Sequence, residues 1–95
     1  MKIIVKDLRE YLDASGLSIV EIVRRMNDMQ AIIAPQKREI TKNFIYFTLK
    51  GHTPRPDNIY ILASVLKVHP KKLFTIVYDD LKYEEYQKIY RELFT

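Results

Sequence analysis

Ninety-five residues and 11.4 kDa make one small domain, which excludes a barrel enzyme or a chain of several folded units. Apolar residues at 47% and charged residues at 29% give an ordinary globular balance with material for a small core. With no cysteine there is no disulfide frame, thiolate zinc site or cysteine nucleophile, and His52 and His69 cannot complete a four-ligand metal site by themselves. The net charge of +4 is unevenly spread: residues 24–55 carry seven basic and two acidic side chains, whereas residues 75–95 carry three and five. The seven are Arg24, Arg25, Lys37, Arg38, Lys42, Lys50 and Arg55. Such clustering fits either a solvated face or a polyanion such as a phosphate backbone.

In chain order, Leu8, Tyr11 and Leu12 at helical spacing, followed by Gly16, predict a first helix over Asp7 to Ser15. Ser18-Ile19-Val20-Glu21 is a capping-box pattern, and Ile19, Ile22, Val23 and Met26 form the apolar stripe of a second helix. From Asp28 to Glu39 the periodicity breaks, and Pro35 disfavours a helical Ala34. Thr41 is a plausible cap for a third helix through Lys50, with Ile45 and Leu49 as its buried pair and Gly51 closing it. A Pro-containing loop follows, and Asp57 is expected to cap a fourth helix. Ile59, Leu62, Ala63 and Leu66 make that helix the clearest in the chain and the expected centre of the core. His69 to Phe74 predicts a single turn opened by Pro70. Strand propensity at Lys2 to Val5 and Thr75 to Tyr78 suggests a two-stranded addition from the termini. Asp79 and Asp80 start a last helix, with Glu84 able to meet Lys88 four residues on.

In this order the pieces resemble the Cro and phage-repressor (Xre-type) helix-turn-helix family. The resemblance rests on Gly16 to Asn27, on Ile40 to Gly51, and on Leu62-Ala63-Ser64-Val65-Leu66-Lys67-Val68 followed by Leu73-Phe74, and covers roughly Leu8 to Phe74. It implies an all-α, lambda-repressor-like bundle of five short helices plus a C-terminal helix. Residues 1–78 would form the DNA-binding domain, with an insert at 28–39, and residues 79–95 the C-terminal helix. Three departures stand out. The insert lengthens a connection that usually has about four residues. Val23 occupies a position that normally holds a small residue. Leu12 and Leu49 replace an Arg and a Glu that pair in many relatives, and losing both ionic partners together is the change a core tolerates best.

The function implied by the resemblance is sequence-specific, repressor-like transcription regulation in the cytoplasm, with helix 41–50 in the major groove. On that pattern Thr41, Lys42, Asn43 and Phe47 meet base edges, with Phe44 beside them, and Ser18, Lys50 and Arg55 meet phosphates. Asn43 suits adenine N7 and N6, Lys42 suits guanine O6 and N7, and Phe47 suits a thymine methyl. The opposing expectations are that Phe44 and Phe47 pack under the insert, Thr41 is only a cap, Asn43 serves a turn and Lys42 is solvated. Lys37 and Arg38 could form a small wing on the backbone, or Ala31 to Ala34 a protein-binding site. Tyr86, Ile89, Tyr90, Leu93 and Phe94, with Tyr83 nearby, offer a homodimer interface, or else fold back on the core. Partners are therefore double-stranded DNA and a second copy, with no membrane, metal or cofactor. Enzyme activity is not expected, because Ser15, Ser18 and Ser64 lack a triad and two glycines cannot build a phosphate loop. The rival is a protein-interaction module that keeps the fold without DNA binding, motivated by Ile19 at a usual phosphate-facing position and by Phe44 and Phe47. An RNA-binding adaptor is a third option.

Overall fold

The computed structural model describes residues 7–52, 54–74 and 80–94. Among them the secondary structure is helical, with α1 (Leu8–Ala14), α2 (Ile19–Ile33), α3 (Lys42–Leu49), α4 (Pro56–Leu66), a 3-10 turn (Pro70–Lys72) and α5 (Asp80–Phe94). The all-α class is as expected. Lys2 to Val5 and Thr75 to Tyr78 lie outside the described residues, as does Asp79.

Helix α1 turns at Ser15, whose hydroxyl donates to the Leu12 carbonyl at 2.6 Å and accepts from the Leu17 N–H at 3.1 Å. Gly16 then takes the left-handed conformation, at φ 71°, which a side chain would disfavour. Helix α2 starts as the capping box requires only in part. The Ser18 hydroxyl accepts from the Glu21 N–H at 3.1 Å, but the Glu21 carboxylate goes to Arg24 and Arg25 rather than back to Ser18.

The largest departure from expectation is the length of α2. It runs on to Ile33, so half of the expected insert is helix, and only residues 34–41 connect it to α3. Ile22, Met26 and Met29 are fully buried along one stripe, and that apolar face carries the helix past the polar Asn27 and Asp28. Pro35 ends it as expected, forcing Ala34 out of the helical region to φ −150°.

Helix α4 is the centre of the core. Every residue from Ile59 to Leu66 is buried, with α2 packed on one side and α5 on another. Its start corrects an expectation: Arg55 is the N-cap and Pro56 the first helical residue, so Asp57 is free for a different task. Ser64, fully buried, satisfies its hydroxyl by donating to the Tyr60 carbonyl at 2.8 Å. At the other end Lys67 is left-handed, at φ 58°. The Val68 N–H reaches the Ala63 carbonyl and the Lys67 N–H that of Ser64, both at 3.1 Å, the paired bonds of a Schellman close. A residue with a side chain pays for this conformation where glycine would not. His69 caps the 3-10 turn, its Nδ1 accepting from the Lys71 N–H at 3.1 Å.

Helix α5 folds back on the core. Tyr86 and Tyr90 are buried, the Tyr86 ring lies 5.6 Å from that of Tyr60, and the Tyr90 hydroxyl accepts from Arg25 Nη1 at 3.0 Å. Glu84 and Lys88 do not pair among the described residues.

Two substitutions test these local arguments by urea denaturation. Lys67→Gly is expected to raise the unfolding free energy by up to about 1 kcal/mol, the backbone gain being partly offset by greater freedom of the unfolded chain. Asn27→Ala, which strips both partners from the Ile40 backbone as described below, is expected to lower it by about 1–3 kcal/mol.

Candidate nucleic-acid interface

What fixes α3 is the way its approach is tied to α2. Asn27 on α2 spends both ends of its amide on one residue: Nδ2 donates to the Ile40 carbonyl at 2.8 Å, and Oδ1 accepts from the Ile40 N–H at 2.7 Å. One turn further along, the buried Gln30 donates to the Arg38 carbonyl at 2.7 Å. Ile40 is itself buried. The loop therefore carries its own hydrogen-bonding scaffold, and α3 leaves it from a defined position.

Helix α3 buries Ile45 and Thr48, and Thr48 donates its hydroxyl to the Phe44 carbonyl at 2.7 Å. Leu49, expected as the second buried residue, is only half-buried. Gly51 closes the helix at φ 95°, with the His52 N–H reaching the Phe47 carbonyl at 3.0 Å. Thr41, Lys42, Asn43, Tyr46 and Phe47 are exposed. Thr41 is the N-cap by backbone position, yet its hydroxyl makes no capping bond. Phe44 packs partly against the core, whereas Phe47 stays 50% exposed with its ring 5.4 Å from His52. Of the two aromatics expected under the insert, only Phe44 is drawn inward.

The charge cluster divides into spent and unspent cations. Arg24 pairs with Glu21 and Asp28, and Arg25 with Glu21. Those two guanidinium groups hold the Glu21 carboxyl well below its usual range, at about 2. Lys37 lies 2.6 Å from Asp57, which corrects its expected place in a wing. Arg38, Lys42, Lys50 and Arg55 are exposed and have no ion pair among the described residues. The Ser18 hydroxyl, expected at a phosphate, is occupied as a helix cap.

Residues 36–41, Asn43, Phe44 and Phe47 of α3, and Arg55 and Asn58 at the head of α4 line an open groove of about 870 Å³. Asp57 ties its surroundings together. Besides Lys37 it meets Lys82 at 3.2 Å and accepts from the Tyr86 hydroxyl at 3.3 Å, so one carboxylate joins the loop, α4 and α5. The Lys37 and Lys82 ammonium groups lower its pKa despite partial burial, while burial and the Asp57 charge push the Tyr86 phenol up to about 12.

The expected dimer residues need correction. Tyr86 and Tyr90 are 6% and 3% exposed within a single chain and are already spent on its core. Ile89 and Phe94 are half-buried, and Leu93 and Leu81 are exposed. His52 is an exposed loop residue. Among the described residues no group of three or more His, Asp or Glu side chains could hold a metal ion, and no helix is long and apolar enough to cross a membrane.

Sequence reasoning missed Asn27, Gln30 and Asp57. A pair of amides one turn apart on an otherwise apolar-striped helix was a readable signal for the first two. For Asp57 the signal was Pro56, which prefers the first helical position and displaces the cap to Arg55.

A pH titration of stability tests the Asp57 hub. A depressed carboxyl pKa stabilises the fold above the ordinary value of 3.8, and this contribution is lost as pH falls through the lower folded-state value. The wild type is expected to lose stability more steeply below about pH 4 than Asp57→Asn does; equal slopes would show that the hub contributes nothing.

Comparison of the chain with protein-family models, with curated proteins and with solved structures finds no match to any of the three.

Proposed function

We propose that this chain is a sequence-specific DNA-binding transcription regulator with a lambda-repressor-like helix-turn-helix arrangement. Helix α2 would be the supporting helix and α3 the helix that enters the major groove. The observation that carries this is the first turn of α3, where the side chains of Thr41, Lys42 and Asn43 are exposed and make no hydrogen bond among the described residues. The opposite side of the same helix is anchored by Ile45 and Thr48. A helix held from behind, with polar donors and acceptors at its leading end, is what base-edge recognition requires.

Arg38, Lys42, Lys50 and Arg55, without an ion pair among the described residues, fit the same reading, since phosphate contacts supply most of the affinity and base contacts the choice of sequence. One copy would touch few base pairs, so a long site calls for two copies on half-sites about one helical turn apart. Because Tyr86 and Tyr90 are committed to the core, such a dimer would use the outer side of α5 around Leu81 and Leu93.

One observation favours the protein-interaction module instead. Tyr46 and Phe47 are 47% and 50% exposed on α3, and aromatic residues are common anchors of protein interfaces.

Fluorescence anisotropy with a random-sequence duplex at about 50 and 200 mM salt separates the two. Regulators of this type bind at the lower salt and weaken steeply at the higher. On a duplex selected from that pool, Asn43→Ala is expected to cost about 1–3 kcal/mol and to relax the base preference at one position. No binding at the lower salt would discard DNA recognition in favour of the interaction module.

A further inference from the structure

The connection between α2 and α3 holds more structure than a spacer needs, and Arg38, which has no ion pair among the described residues, stands at the groove beside α3. Arg38 lies on the loop wall, with its carbonyl fixed by Gln30 at 2.7 Å. Arg55, at the head of α4, lines the same groove. The loop and the head of α4 are joined through the residues next to these arginines: Lys37, adjacent to Arg38, meets Asp57, two residues beyond Arg55, at 2.6 Å. Since that pair neutralises itself, the charges left on the groove lining are Arg38 and Arg55 against Glu39. Asn43, Phe44 and Phe47 of α3 complete the lining. An anionic chain running along the groove would thus meet one guanidinium from the loop and one from the head of α4 while remaining against α3.

We propose that this groove grips the DNA backbone, with Arg38 on the loop and Arg55 at the head of α4 contacting the same short stretch of phosphodiesters. The loop 34–41 is then a second DNA-binding element, held in place by the Lys37–Asp57 ion pair. This rests on the duplex-binding function proposed above and adds to it a shared phosphate site. Planar guanidinium groups suit such a site because each can give two parallel hydrogen bonds to phosphate oxygens. The groove is open and polar on its loop side, so a hydrated backbone can enter without desolvating buried charge.

The test is a double-substitution cycle on a random-sequence duplex, read as affinity and as the slope of log affinity against log salt. Arg38→Ala and Arg55→Ala, both at exposed positions, are each expected to weaken binding by about tenfold and to reduce the slope by about 0.9. The double variant should lose clearly less than the product of the single losses, because either arginine alone holds the stretch poorly. Lys50→Ala, outside the groove, should combine multiplicatively with Arg38→Ala. An unchanged slope for Arg38→Ala would overturn the proposal, as would multiplicative losses for the arginine pair, and both results would leave duplex binding by α3 intact. Failure of the wild type to bind duplex at about 50 mM salt would overturn both proposals together.

Discussion

The placement of α3 depends first on the reciprocal pairing between the Asn27 amide and the Ile40 backbone. Two helices joined by eight residues have no fixed relation unless something other than the chain connects them. Here a side-chain amide imitates a neighbouring strand by offering one donor and one acceptor to the C=O and N–H of a single residue. Gln30 repeats the device one turn later on the Arg38 carbonyl, and burial of Ile40 excludes the water that would compete. The direction of α3 is therefore set by polar contacts at its entry and by Ile45 and Thr48 along its body.

Electrostatics follow from the same arrangement. A sum over sequence gives the middle third a strong positive bias, yet much of it cancels locally, because Glu21 and Asp28 on α2 answer Arg24 and Arg25 and Asp57 answers Lys37. The remaining four cations belong to the loop, α3 and the segment leading into α4. Ion pairs at the surface add little stability; their effect here is to restrict which positive charges are open to a partner.

Much of the fold was legible because its punctuation is strong. Gly16, Gly51 and the Pro70 turn mark real boundaries, and the apolar spacing of α4 marks the real centre. The overrun of α2 was harder to see, because Asn27, Asp28 and Gln30 look like the end of an amphipathic helix. Ile22, Met26, Met29 and Ile33 in fact continue its stripe, with the polar residues placed to reach the loop. For the site, exposure of Thr41, Lys42 and Asn43 agreed with their helical phase. The pairing of Lys37, by contrast, depends on a residue twenty positions away, which no local pattern reveals. The tyrosines of α5 looked equally suited to a partner and to the core, and only the three-dimensional position of α4 decides between them.

The burial of α4 also has a consequence for the order in which this domain can form. Every side chain from Ile59 to Leu66 needs cover, and part of that cover comes from Tyr86 and Tyr90 on α5. In any state where α4 has formed and α5 has not docked, that cover is missing. Until α5 follows, an apolar side of α4 remains open to solvent or to a chaperone. The native packing of the domain is thus completed only by the docking of α5.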